Sequence, residues 1–97
     1  MALIVTRTMA VNDVGPDEEV FASIAATRVT IAEDRSVVGY PTIGLIATGT
    51  GPASTAIQKD LGEAILFNPP QPFVRGQKIC DLRTVAGATT VQIIEEQ

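Results

Sequence analysis

The chain has 97 residues and a mass of 10.2 kDa; 45 % of its residues are hydrophobic, 4 % are aromatic and 19 % are charged. This length supports one domain, and the apolar content is too high for a disordered chain. With no histidine and one cysteine, Cys80, the sequence excludes an intramolecular disulfide, a zinc site of the usual kind and a histidine general base. We therefore expect one folded domain over residues 1–97, with no cofactor and no enzymatic activity.

The net charge of −4 and the pI near 4.5 argue against a nucleic-acid partner, because the seven basic residues are scattered singly rather than gathered in a stripe. No segment approaches the roughly 20 apolar residues that span a bilayer. The initial apolar run is also too short for a signal peptide. These features predict a soluble protein without a membrane partner, made in a reducing compartment such as the cytoplasm.

Val, Ile and Thr are abundant, and such β-branched residues favour strands. Residues 2–11 show the alternation of a strand with one buried face, carrying Leu3, Val5, Met9 and Val11 and interrupted only by Arg7. Turn formers and acids then predict a loop over residues 12–19. The next alternating segments, 20–25 and 28–32, are either two strands or one long strand bent between them.

A polar turn at residues 33–36 precedes two apolar segments separated by Pro41, which marks a break or an edge strand. The Gly-rich residues 49–54 form a predicted surface loop. Residues 54–61 are either a two-turn helix capped by Ser54 or a short strand over 55–59.

A compact strand over residues 64–67 leads into an extended proline strap, 68–72. A turn at 74–78 precedes a strand over 79–83, and residues 85–88 are the expected hairpin turn before the last strand, 89–95. Seven or eight short strands with at most one short helix predict an all-β, single-domain β-sandwich or small barrel.

Two loops and one residue, Cys80, are candidates for a chemical role, and a structural interpretation is favoured for each. The Gly-rich loop lacks the Lys of a phosphate-binding loop, and Pro52 removes a donor there. The acidic loop, residues 13–19, offers carboxylates to Ca²⁺ but lacks EF-hand spacing, which favours a solvated turn and leaves Ca²⁺ binding open. Cys80 has no histidine to activate it and is expected to be a small buried hydrophobe.

Two segments are candidates for contact with a partner. Phe73 follows three prolines, so its ring either fills a nearby core, which is favoured, or anchors on a partner. The apolar N-terminal segment either pairs within its own sheet or adds to a neighbour's edge, with residues 1–6 as an extended arm. The predicted interaction residues are Leu3, Ile4, Val5, Pro69, Pro70, Pro72 and Phe73.

Association is expected because a small domain without disulfides or metal, and with few aromatics, buries little of its surface alone. Free sheet edges also need to be covered. We therefore expect a homo-oligomer, a trimer or a dimer, or a subunit mounted on a larger assembly.

In its size, its small-residue composition and the sequence of residues 67–77, the chain resembles the accessory proteins of tailed-phage virions, of the capsid decoration (cement) type. The resemblance covers the whole chain in style and contains no diagnostic motif. It implies a non-enzymatic virion protein that binds a major capsid protein and stabilises the capsid lattice. The alternatives are a small carbohydrate- or ligand-binding β module, although Trp is lacking and Tyr occurs once, and a small enzyme that acts through paired carboxylates.

Overall fold

A computed structural model describes residues 3–33, 44–48, 57–59 and 64–97. Every regular element within these residues is a β-strand, and all the pairings between strands are antiparallel. The strands are β1 (Ile4–Val11), β2 (Glu18–Phe21), β3 (Arg28–Glu33), β4 (Leu45–Thr48), β5 (Ile57–Lys59), β6 (Ile65–Phe67), β7 (Lys78–Thr84) and β8 (Thr89–Glu96).

The eight strands form two four-stranded sheets. The first sheet has the order β1-β8-β3-β6 and the second has the order β2-β7-β4-β5. The strands pair as in one long folded hairpin: β1 with β8, β2 with β7, β3 with β6 and β4 with β5. Two further pairings, β8 with β3 and β7 with β4, join these pairs into the two sheets. This is the strand order of an eight-stranded jelly roll. The prediction of an all-β sandwich is therefore confirmed.

The core lies between the two sheets because alternate residues of each strand point inward. The first sheet contributes Val29, Ile31, Ile65 and Ile93, all fully buried, and the second contributes residues such as Leu82. Burial of a side chain of this size contributes about 1.5–3 kcal/mol. The β-branched composition that predicted strands therefore also fills the sandwich.

Most predicted strands are present within a residue or two of their expected bounds. The predicted segments 20–25 and 28–32 belong to two strands in different sheets, β2 and β3, and not to one bent strand. Strand β2 begins at Glu18, within the predicted loop 12–19, and ends at Phe21, so the prediction of strand over residues 22–25 is wrong. In the ambiguous segment 54–61 the structure has the strand β5, and the other residues of that segment lie outside the described ones. The predicted strand residues 37–40 and 43, Pro41 and the Gly-rich loop also lie outside them.

The hairpin predicted at residues 85–88 is wrong. These residues form a turn, in which the Thr84 hydroxyl donates a hydrogen bond to the Gly87 carbonyl, but the turn joins the two sheets. Strand β7 has β2 and β4 on its two sides, and β8 has β1 and β3. Because both strands are paired on both edges, they do not pair with each other.

The proline strap after β6 ends by returning Phe73 to the core, where its ring is 2 % exposed. The Phe73 amide donates to the Ala26 carbonyl at 2.9 Å, which ties the strap to the β2–β3 connection. The chain then reverses in the predicted turn, where the Gln77 amide donates to the Val74 carbonyl at 2.8 Å. Gly76 occupies the third position with φ of +88°, a conformation that favours glycine.

Candidate functional site

The outward surface of the first sheet is nearly free of charge, and we call it the neutral face. It carries one ion pair, Arg28 Nε to Glu96 Oε1 at 3.2 Å, at one end of the sheet. The neutral face comprises the outward residues of four strands: Ile4, Thr6, Thr8, Ala10, Arg28, Thr30, Ala32, Leu66, Thr90, Gln92, Ile94 and Glu96.

The register places the uncharged residues in rows across the sheet. Thr6 lies opposite Ile94, Ile94 opposite Thr30, and Thr30 opposite Leu66, so this row crosses all four strands. With strands about 4.8 Å apart, the row is about 14 Å wide between the outer backbones. Ile4 is 60 % exposed and Leu66 is 52 % exposed. Apolar side chains and threonine methyl groups are therefore available on this face for contact with another molecule.

The outward surface of the second sheet is charged. In its register Glu19 lies opposite Asp81, and Asp81 opposite Thr48. Lys78 Nζ lies 2.7 Å from Asp81 Oδ1 and 3.3 Å from Glu19 Oε1, and Arg83 is exposed farther along the same strand. The hydrogen bond that Lys78 donates to Asp81, reinforced by Glu19, raises the pKa of Lys78 above 10.5, although its partial burial acts in the opposite direction. This surface is thus a hydrated ionic network, unlike the neutral face.

A groove of about 660 Å³ borders this ionic network. Its walls include Glu19, Phe21 and Asp81, and it continues past Pro16 into the acidic loop. The Phe21 ring is 43 % exposed. Carboxylates beside an exposed aromatic ring can accept hydrogen bonds from a hydroxylated ligand while the ring packs against its apolar side.

A carboxylate lies in the sandwich core, where Glu95 is 0 % exposed. Its Oε1 accepts from Arg7 Nε at 2.8 Å, and its Oε2 accepts from the amide and hydroxyl of Ser23, both at 2.9 Å, and from the Ile24 amide at 3.3 Å. Burial alone raises the pKa of Glu95, but the bonds from Ser23 and the Arg7 guanidinium outweigh it and hold the pKa below 4.5. Glu95 is therefore an ionised structural group with its oxygens already occupied.

The predicted contact segments start from opposite edge strands of the first sheet. Leu3 and Ile4 are exposed, whereas Val5 is half-buried on the inner side of β1. The predicted arm, residues 1–6, is part of the sheet as far as it is described, since Ile4, Val5 and Thr6 pair with β8.

The strap, which follows β6, lines a second groove of about 510 Å³ together with Val74 and Gln77. Pro70 and Pro72 are exposed there and Pro69 is half-buried. Phe73 is a core residue, so of the two alternatives for its ring the structure shows the core one. For the other alternative, an anchor on a partner, the ring would have to leave the core.

The remaining candidates for a chemical role are Cys80 and the acidic loop, and the structure favours the structural interpretation of each. Burial raises the pKa of the Cys80 thiol to about 12, and Asp81 adds to this effect while Lys78 partly offsets it. Such a thiol is a poor nucleophile. Within the described residues, the acidic loop included, no group of three or more carboxylates or thiols is arranged to hold a metal ion.

Sequence reasoning missed the neutral face. The alternation separated Ile4, Thr6, Thr8 and Ala10 from the inner residues of β1, but it did not show which strands lie beside them. The usable signal was the absence of charge, apart from Glu96, in the outward sets of the first and last strands, since exposed sheet faces normally carry polar and charged residues.

The fold and surfaces define a class of protein, a small jelly-roll sandwich with one neutral and one ionic face. No protein-family model matches the chain, and no curated protein or solved structure is significantly similar to it. In the part of the chain that the structure describes, no helix has the length and hydropathy needed to cross a membrane.

Proposed function

We propose that this chain is a structural subunit of a virion that binds the major capsid protein and stabilises the capsid lattice, as a decoration or cement protein does. The observation that carries the proposal is the neutral face. A nearly uncharged sheet surface with exposed Ile4 and Leu66 is costly to leave in water and inexpensive to desolvate against a protein. Cores of protein interfaces are depleted of charge in the same way.

The fold supports the proposal by analogy. Eight-stranded jelly rolls occur in viral capsid domains and in lectins, so the strand order is compatible with a virion role. The charge distribution favours one orientation of the subunit on the capsid. The neutral face would contact the protein lattice, and the ionic surface around Lys78 and Asp81 would face water. A virion is then where the protein resides.

The test is co-purification with particles. The protein should appear on purified virions in many equivalent copies, and Thr30→Lys should release it, since that residue lies within the neutral face. The matched control is Thr48→Lys, because Thr48 is also half-buried on the outward side of an inner strand but belongs to the second sheet. Absence of the wild-type protein from particles, or equal retention of both variants, would contradict the proposal.

A second candidate function, binding of a carbohydrate or similar hydroxylated ligand, rests on the groove beside Phe21. There an exposed ring lies next to Glu19 and Asp81, although Lys78 already engages both carboxylates. A glycan array distinguishes the two candidates. Binding that is abolished by Phe21→Ala and unaffected by Thr30→Lys would favour the groove over the neutral face.

A further inference from the structure

The four strands at the sheet edges differ in how they are protected against pairing with another chain. Natural edge strands are usually short, charged, bulged or interrupted by proline. Strand β2 has four residues, begins with Glu18 and Glu19, and has an irregular register at Val20/Phe21. Strand β5 has three residues and ends at Lys59. Strand β6 also has three residues and leads into the proline strap.

Strand β1 has one of these devices, the inward-pointing charge of Arg7, and is neither short, bulged nor interrupted by proline. It pairs with β8 through eight consecutive residues without a bulge, and it contains no proline. Its one charged side chain, Arg7, points inward and is neutralised by Glu95. In the described part of the chain, only β8 pairs with β1.

The backbone groups that β1 directs to its open edge can be assigned. The Gln97 amide donates to the Leu3 carbonyl at 2.9 Å, which places residue 3 among those whose backbone groups face β8. Because the direction alternates along an antiparallel strand, the N–H and C=O groups of Ile4, Thr6, Thr8 and Ala10 face away from β8. The side chains of these four residues are exposed.

We propose that a second copy of this chain pairs antiparallel with β1 along this edge, around a two-fold axis at Arg7. In that register Ile4 lies opposite Ala10 of the second copy, and Thr6 lies opposite its Thr8. Four residues with two backbone groups each supply about eight hydrogen bonds across the junction, which lies within the range of about 5 to 15 for a specific protein interface.

Charge favours this edge over the ionic surface of the second sheet for contact between copies. Two copies with a net charge of −4 each repel one another, and β1 is a locally neutral strip where that repulsion is weaker than beside Glu19 and Asp81. Pairing also joins the two neutral faces into one eight-stranded surface. The inference goes beyond the proposed function, because the pairing requires no capsid.

The test uses the isolated full-length chain. Sedimentation velocity should show a dimer that dissociates on dilution, and Thr8→Pro should weaken the dimer by roughly tenfold or more, because the ring removes one donor and obstructs the edge. The Thr8 N–H faces away from β8, so this variant loses no bond within its own sheet. Thr30→Lys is the control within the neutral face but away from the edge, and it should leave the dimer intact.

Residue-resolved amide exchange provides a second measurement and does not depend on a variant that folds. In the dimer the amides of Ile4, Thr6, Thr8 and Ala10 should be protected, and they should exchange rapidly once the protein is diluted. The amides of Val5 and its odd-numbered neighbours should be protected in both states.

Three results would overturn the inference: a monomer at all concentrations, rapid exchange of the even-numbered amides at every concentration, or a dimer lost in Thr30→Lys and retained in Thr8→Pro. If Thr8→Pro does not fold, Thr6→Lys replaces it. That variant places a positive charge at the junction in each copy and should also weaken the dimer. A capsid-binding defect without dimer loss would instead concern the proposed function alone.

Discussion

Arg7 and Glu95 form an ion pair between adjacent strands on the inner side of the first sheet, with Nε and Oε1 2.8 Å apart. They are diagonal neighbours, because Arg7 lies opposite Ile93 and Glu95 opposite Val5. Arg7 Nη2 also donates to the Phe21 carbonyl at the end of β2, and Glu95 accepts from Ser23 just beyond it. The pair therefore links the two sheets of the sandwich at one end.

Replacing Arg7 with alanine is expected to lower the free energy of unfolding by about 2–3 kcal/mol. Removal of one partner leaves the buried Glu95 carboxylate without its counterion, and such losses cost about 3–5 kcal/mol for fully buried pairs. The value is smaller here because the Arg7 side chain is 30 % exposed and the bonds from Ser23 remain. Urea unfolding measures the difference.

The control for this prediction is Arg28→Ala, which removes the ion pair of Arg28 with Glu96. Those side chains are 51 % and 32 % exposed, so the pair is hydrated and its loss should cost less than about 1 kcal/mol. Equal effects of the two substitutions would show that burial of Glu95 does not determine the strength of its ion pair.

The stability contributed by Glu95 should disappear in acid. Its pKa in the folded protein lies below the value of 4.5 for a free glutamate, so the folded state favours the ionised form. The contribution is fully present above pH about 4.5 and is lost as the pH falls through the lower folded-state pKa. We expect the difference in unfolding free energy between the wild type and Glu95→Gln to be largest near neutral pH and to shrink in acid.

Other carboxylates titrate in the same range, but they are present in both proteins and cancel in the comparison. Urea unfolding of both proteins between neutral pH and about pH 3 makes the measurement. A difference that stays constant over this range would mean that folding does not lower the pKa of Glu95.

Both members of this ion pair could have been recognised in the sequence. Arg7 is the one residue that interrupts the apolar face of the first predicted strand, and Glu95 continues the inner set of Val91 and Ile93 in the last. Two opposite charges on inner faces predict a buried pair. The prediction was missed because alternation shows the side of a strand a residue occupies but not which strand lies next to it.

The same limit explains the error at residues 85–88. Turn formers between two alternating segments are typical of a hairpin, but they also occur where the chain passes from one sheet to the other. Local composition does not distinguish the two cases, since the difference lies in whether the edges of β7 and β8 are already occupied by other strands. Strand existence and inner faces were therefore predictable, whereas pairing and the neutral face were not.

Cys80 should be inert in the folded protein. Its side chain is fully buried, and burial raises the pKa of its thiol to about 12, so almost no thiolate exists at pH 8. We expect a thiol reagent to label Cys80 at the rate at which the protein unfolds, and immediately in denaturant. An Ala86→Cys variant is the reactivity control, because Ala86 is exposed and its added thiol should label rapidly. Rapid labelling of Cys80 in the native wild type would contradict the burial that we describe.

Phe73 and Val74 are adjacent in the chain but should respond differently to truncation. Phe73→Ala removes a ring that is 2 % exposed between the strap and the core, and such losses cost about 3–5 kcal/mol because a cavity is left behind. Val74 is 69 % exposed, so Val74→Ala should change the unfolding free energy by no more than about 0.5 kcal/mol. Thermal and urea unfolding of both variants measure these effects. If Phe73→Ala were as stable as the wild type, the strap would not be fastened to the core through that ring, and the residue would again be a candidate for contact with a partner.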